Sequence, residues 1–424
     1  MSRLRVFKPA KVKPVKKWRD TLTIESLADD GRGIARRHGK VVFIDDALPG
    51  ETVIAEMRTA GKRFDEARSV GREVTSSDRA DPPCTYYQVC GGCQLQHLSD
   101  RAQIRWKNER FGAMLSRLDG PQPMTPFTAD SLHYRHRLRL FFDRGKLGLR
   151  AHGSHSIVAV PNCLIARTGL SAALKKVYAH SDWLQYAHAG ELHLVEGAGD
   201  RVAAVLMLRK KPTQAALDNL CGSFPITLAQ VIGEGNVLFE SPVQLIYPDG
   251  ELSFEPGDFT QVNPAINRQL VTQVVDWLHL ESGDQVVDAF AGLGNFSLPI
   301  ARAGVQVVGL EVDDAMVGRA RMQAAEHGLD NLTYLSRDLF QANALAGINV
   351  NKALLDPPRA GARELCEALA ASAVTRVVYV SCDPATLERD LAILIAGGFG
   401  ISAARWADMF PQTSHMESLV LLTR

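Results

Sequence analysis

In this 424-residue chain, a few side chains stand where their types and spacing could do chemistry. The apolar run Val377-Val378-Tyr379-Val380 leads into Ser381-Cys382-Asp383-Pro384, which puts a cysteine at the carboxyl end of a buried strand. In an open α/β sheet that edge is where ligands bind. A thiolate there suits covalent catalysis, because adding to one carbon can activate its neighbour. Asp356-Pro357-Pro358-Arg359 ends the preceding strand at the same edge. Glu417, in His415-Met416-Glu417-Ser418, begins the last apolar run, Leu419–Leu422, and is the candidate general base. Cys366 lies within a helical pattern and reads as a small core residue.

A second constellation is built for a ligand. Gln285-Val286-Val287-Asp288-Ala289-Phe290-Ala291-Gly292-Leu293-Gly294-Asn295-Phe296 reads as a strand, a glycine turn and the start of a helix. A pyrophosphate site would carry a further glycine where Ser297 stands, and Asp288 suits a cationic or amino-bearing ligand better than a diphosphate. Glu311 ends the next apolar strand, where a carboxylate can take two ribose hydroxyls, and Asp338 follows the strand-like run Thr333–Leu335. S-adenosylmethionine (SAM) needs such acceptors and has no phosphates; a dinucleotide is the competing ligand. A cysteine beside a methyl donor suggests one reaction in particular. Carbon 5 of uracil becomes nucleophilic only when a thiolate has added to carbon 6, and a base must later remove the carbon-5 proton.

Cys84, Cys90 and Cys93, with Cys163 far downstream, supply a third group. The chain has seven cysteines, an odd number, and its first residues lack the apolar core of a signal peptide. Metal or catalytic roles are therefore expected rather than disulfides, and a cytoplasmic location with them. Four cysteines suit zinc or an iron–sulfur cluster, and spacing alone does not decide; three close and one remote is commoner for a [4Fe–4S] cubane.

The elements that must position these groups fall into four segments. Residues 1–20 form a basic arm with eight Lys/Arg against one acid, +7, while the remainder carries 40 basic and 46 acidic residues, −6. That asymmetry suggests a polyanion touched locally, or a solubilising tail. Residues 21–75 hold short strands (Leu22–Ile24, Val41–Ile44, Thr52–Glu56) between glycine turns, as in a small OB-like β-barrel. Arg32, Arg36, Arg37 and Lys40 around those turns are candidate phosphate contacts. Residues 76–260 form a mixed α+β central domain with the cysteine group, an amphipathic helix over Ala102–Leu118 and a strand over Tyr134–Phe142. On that strand Arg135, Arg137 and Arg139 share one face, which suggests phosphate binding, with an ion-paired surface as the alternative. Residues 261–424 alternate helices with apolar strands at 285–288, 305–310, 353–355, 377–381 and 418–422, the pattern of an α/β doubly wound sheet. No run approaches the ~20 apolar residues of a membrane helix.

Residues 21–75 resemble the TRAM domain of RNA-modifying enzymes, through Leu27-Ala28…Gly31-Arg32-Gly33-Ile34-Ala35 and Val42-Phe43-Ile44…Leu48-Pro49-Gly50-Glu51. Residues 75–424 resemble the RNA uracil-5-methyltransferase family, through Gln261-Val262-Asn263, the Asp288–Phe296 turn, Leu355-Asp356-Pro357-Pro358-Arg359-Ala360-Gly361, Ser381-Cys382-Asp383-Pro384 and Phe410-Pro411-Gln412-Thr413-Ser414-His415-Met416-Glu417. The resemblance implies Cys382 as nucleophile, Glu417 as base, and Gln261, Phe290, Asn295, Glu311, Asp338 and Asp356 around SAM and the base. Family members vary between aspartate and asparagine at the position of Asp338. The branch acting on 23S ribosomal RNA carries a [4Fe–4S] cluster at positions matching Cys84, Cys90, Cys93 and Cys163, and its TRAM-bearing form is the most similar. A monomer acting on a flipped or single-stranded uridine of 23S rRNA is expected, with Phe259 either stacking on RNA or packing in the core. Two competitors remain: a cytosine-5-methyltransferase, and an iron–sulfur RNA-binding or electron-transfer module without transferase activity.

Overall fold

The computed structural model describes residues 17–248 and 250–424, so most of the basic arm lies outside the described residues. The chain divides into two compact units, Met1–Pro82 with Gln94–Ser99, and Pro83–Cys93 with Asp100–Arg424.

In the first unit, β1 (Arg19–Thr23), β2 (Ser26–Leu27), β3 (Gly33–Arg37), β4 (Lys40–Asp45), β5 (Thr52–Ala60) and β6 (Phe64–Val74) form one sheet in the order β1-β5-β6-β4-β3-β2. His38 and Gly39 both have positive φ, the backbone of a two-residue hairpin that keeps the strand twist between β3 and β4. Register shifts between β5 and β6 bend the sheet around Leu22, Ile24, Ala35, Val42, Ile44 and Val53. Glu51 is buried and takes a two-point ion pair from Arg79 at 2.6 and 2.8 Å, tying residues 76–82 to the strands. The four turn cations differ from the phosphate-contact reading. Arg32 pairs with Asp30 and Glu66, Arg36 with Glu25, Arg37 with Asp20, and Lys40 with Asp65. Lys17, Arg19, Arg58 and Arg68 surround a hollow beside Trp18, with Arg58 paired to Asp45 and Arg68 to Glu56.

The second unit begins with α1 (Asp100–Ser116), then a seven-stranded sheet. Its strands β7 (Arg137–Asp143), β8 (Lys146–Arg150), β9 (Ile157–Val158), β10 (Ala189–Glu196), β11 (Val202–Leu208), β12 (Thr227–Gly233) and β13 (Asn236–Glu240) run in the order β13-β12-β11-β10-β7-β8-β9. Helices α2 (Thr168–Ala179), α3 (Leu184–Ala187) and α4 (Gln214–Ser223) cover a core centred on Leu140, Phe142, Trp183 and Leu206. The small pair β14 (Leu245–Ile246) and β15 (Ser253–Phe254) leads to the last sheet.

That sheet has strands β16 (Gln285–Ala289), β17 (Gln306–Glu311), β18 (Leu332–Ser336), β19 (Lys352–Leu355), β20 (Arg376–Ser381), β21 (Gly400–Ala407) and β22 (Glu417–Thr423), ordered β18-β17-β16-β19-β20-β22-β21. The first five are parallel and β22 runs antiparallel to both its neighbours. Helices α5 (Pro264–Leu278), α6 (Ser297–Arg302) and α7 (Asp314–Glu326) cover one face; α8 (Arg363–Ala370), α9 (Pro384–Ala396) and α1 cover the other. With both faces covered, successive residues of a strand are both apolar, as with Val286 toward α5 and Val287 toward α8. Asn263 caps α5, its side chain accepting the N–H of Ile266, and Pro264 occupies the first turn. Cys366 is fully buried in this core. Among the described residues no helix is long and apolar enough to cross a membrane.

Candidate active site

The strand order reverses between β16 and β19, and at such a switch point loops diverge and leave a crevice. A cleft of about 600 Å³ lies there, lined by Gln261, Phe290, Asn295, Glu311, Asp338, Asp356, Cys382 and Glu417. All eight residues singled out in the sequence for the nucleophile, the base and the ligand therefore face one space.

Most are placed at or just beyond a strand end, while Gln261 precedes α5 and Asn295 follows the glycine turn. Phe290 leaves β16 with φ of 66°, a left-handed conformation costly for an aromatic residue, and its ring sits 5.8 Å from Phe340. Gly294 has φ of 100°, and a Cβ there would come within 2.2 Å of the Tyr334 hydroxyl, so no larger residue fits. Asn295 and Asn267 exchange amide hydrogen bonds at 2.8 and 3.0 Å, which locks the Asn295 side chain. The Glu311 carboxylate accepts the N–H of Gly292 at 3.2 Å and that of Val312 at 2.8 Å, fixing it across the glycine turn. Asp338 is exposed and is held below the usual carboxylate range by hydrogen bonds from Gln341 and the Phe340 N–H. Gln261 donates to Asp356 at 3.4 Å.

Antiparallel pairing sets the reactive pair. Ser381 lies opposite Ser418; Cys382 follows Ser381 and Glu417 precedes Ser418, which brings both to one cleft where they interact electrostatically. Asp383 caps α9 by accepting the N–H groups of Ala385 and Thr386, which fixes the backbone just past Cys382.

Buried carboxylates lie at and behind the cleft. Burial, opposed by a hydrogen bond from Ser297, pushes Asp288 up to about 7. Burial and then the neighbouring Asp288 raise Asp356, and burial and then Asp356 hold Glu417 well above the ordinary carboxylate value. Burial, Glu417 and Asp356 push the Cys382 thiol up to about 11, opposed by the Arg359 guanidinium. Buried carboxylates with no ion-pair partner of their own invite a positively charged ligand. A carboxylate held above its ordinary value is also a stronger base for taking a proton.

The sequence missed Phe340, Val312 and Met316, which line the same cleft. Phe340 could have been found as the aromatic residue two places after Asp338. Phe259 is 68% exposed at the cleft, so the core-packing alternative does not hold. The arginine face also differs from expectation. The strand begins at Arg137, three residues late; Arg137 donates to the Asp258 carbonyl and to Thr260, and Arg139 pairs with Glu191. Both are consumed in holding protein, and Arg135 donates to the Arg137 carbonyl.

Of the remaining cysteines singled out, Cys90 and Cys163 are buried and Cys84 and Cys93 half-buried. The Gly92 N–H points to the Cys90 sulfur at 3.4 Å, and the N–H groups of Ile165 and Ala166 point to that of Cys163. Cys90 feels the charge of Cys84, Cys163 feels that of Cys90, and Tyr134 feels both Cys93 and Cys163. Among the described residues, no three His, Cys, Asp or Glu side chains are gathered into a metal-holding group.

A seven-stranded α/β sheet with its cleft at the switch point, a glycine turn lacking the third glycine, and acids at successive strand ends defines a SAM-dependent methyltransferase. Residues 247–424 match the tRNA (uracil-5-)-methyltransferase family and residues 21–62 match the TRAM domain. The chain is 40% identical to the 23S rRNA (uracil(1939)-C(5))-methyltransferase RlmD of Chromohalobacter salexigens, over 96% of this chain and 89% of that protein. It is 35% identical to the RlmD of a Marinomonas strain, over 98% and 97% of the two chains. Its fold matches the crystal structure of Pyrococcus abyssi tRNA (uracil-54, C5)-methyltransferase in complex with S-adenosyl-L-homocysteine, with TM-score 0.74, 19% identity, and 95% and 100% of the two chains covered. The chain belongs to the RNA uracil-5-methyltransferase family.

Proposed function

We propose that this protein methylates carbon 5 of a single uridine in 23S rRNA, the one its relatives' names place at position 1939, through a covalent bond between Cys382 and carbon 6. The observation that carries the reading is that Cys382 and Glu417, which flank the Ser381–Ser418 pair, line one cleft.

The Cys382 thiolate adds to carbon 6, and the electron pair of the 5,6 double bond moves into an enolate. Carbon 5 then takes the methyl group that SAM supplies. Glu417 removes the carbon-5 proton, the double bond re-forms and the sulfur leaves as thiolate. Gln261, Phe290, Asn295, Glu311, Asp338 and Asp356 hold SAM and the base, with Phe290 and Phe340 as the aromatic walls. A uridine can reach Cys382 only out of its stack, and exposed Phe259 offers a surface on which a base can stack.

Cys84, Cys90, Cys93 and Cys163 are the residues that would hold a [4Fe–4S] cluster. Thiolate ligands are their chemistry, and backbone N–H groups aimed at two of the sulfurs are the kind of hydrogen bond that stabilises such a cluster. Bound there, a cluster would tie Cys163 to residues 84–93 and order the central region; the methyl transfer moves no net electrons. The TRAM unit and the basic arm bind rRNA phosphates, and the enzyme works as a cytoplasmic monomer.

Incubating the purified protein with labelled SAM and unmethylated 23S rRNA, followed by nucleoside mapping, tests this. One 5-methyluridine is expected. Methylcytidine, or no transfer, would overturn it.

A further inference from the structure

Glu417 is buried, and among the described residues its carboxylate makes no hydrogen bond. Its position is therefore inherited from its backbone: from β22 on one side and, on the other, from the irregular segment 408–416 that leads into it. Gln412 in that segment has φ of 66°, a conformation that needs outside support.

The support comes from α1, about 300 residues away in sequence. Lys107, fully buried, donates to the Asp408 carboxylate at 2.7 Å and to the Phe410 carbonyl at 3.2 Å. Gln103 and Gln412 bond twice, the Gln103 amide donating to the Gln412 side chain at 2.9 Å and accepting the Gln412 N–H at 3.1 Å. Arg110 donates to the Ser414 carbonyl at 3.0 Å. Three successive turns of one helix thus grip the segment at 408–410, 412 and 414. The ligand-holding ends of β16, β17 and β18 receive none of these bonds.

We infer that α1 is the positioning element for the general base, with Gln103 and Lys107 fixing the segment that aims Glu417 at the adduct. This rests on Glu417 being the base. Release of the methylated adduct then depends on α1 more strongly than methyl transfer does, since the gripped segment gives the cleft only Phe410 and His415 besides Glu417.

Single-turnover measurements on the full-length protein with SAM and a 23S rRNA fragment separate the two steps. Gln103→Ala is expected to leave methyl transfer within about twofold of wild type and slow release of the methylated adduct by about tenfold or more, the scale of effect that a small misplacement of a reacting group produces. Gln103→Asn, one methylene shorter, serves if the alanine variant does not fold, and thermal midpoints establish that each variant is folded. Glu417→Gln is the reference. If it traps the adduct while both Gln103 variants release at the wild-type rate, or lose transfer and release equally, the positioning role is wrong and the base stands. If Glu417→Gln itself releases normally, the base assignment fails and this inference falls with it.

Discussion

Cys382 immediately follows Ser381, the last residue of β20, and Glu417 immediately precedes Ser418, its partner on antiparallel β22, so the two line one cleft and interact electrostatically. A parallel neighbour would have brought an outgoing strand end to the same edge. Because β22 runs the other way, its first residue meets the last residues of β20, and nucleophile and base come from opposite ends of their two strands.

That proximity has a titration signature. The thiol is pushed up to about 11 by burial and then by Glu417 and Asp356. Removing the Glu417 charge takes away a group that disfavours thiolate, so the thiol value must fall. Site-resolved alkylation of Cys382 as a function of pH should show a lower midpoint in Glu417→Gln than in wild type. An unchanged or higher midpoint would mean that the two groups do not interact.

The cluster assignment predicts a composition. Protein purified without oxygen should be brown and hold about four irons per chain, and replacing Cys84, Cys90, Cys93 or Cys163 by Ser should remove both. Iron and colour analysis checks this. Stoichiometric zinc without iron would refute the cubane.

RNA binding by the first unit predicts a salt effect. Deleting the unit is a poor test, because Gly31 packs on Leu95, which lies beyond Cys93 in sequence. Alanine at Lys17 and Arg19, beside the Trp18 hollow, is the better one. Removing each cation that neutralises a phosphate should reduce the slope of log affinity against log salt by about one. Filter binding or fluorescence titration at several salt concentrations measures the slope; an unchanged slope would show that these cations do not meet the RNA.

The site is legible in the sequence where chemistry sits at strand ends. The motifs around Asp288, Asp356 and Cys382 each follow an apolar run, and apolar runs in a covered parallel sheet are easy to see. Gly400–Ala407, the edge strand β21, does not stand out, because its alanines carry little strand preference. The arginines of residues 135–139 mislead for a different reason. Alternation tells which residues share a face, not whether a carbonyl such as that of Asp258 waits there. Lys107 is hidden for the same reason: a lysine in a helix reads as solvated, and only the fold brings Asp408 to it.

The central claim is a covalent intermediate made by Cys382 and resolved by Glu417. Its most direct test is denaturing electrophoresis and mass spectrometry of the protein after reaction with SAM and a 23S rRNA fragment. Glu417→Gln should yield a stable protein–RNA species carrying the transferred methyl group, Cys382→Ala should yield neither adduct nor product, and wild type should turn over. An adduct formed by Cys382→Ala, or wild-type turnover by Glu417→Gln, would contradict the account.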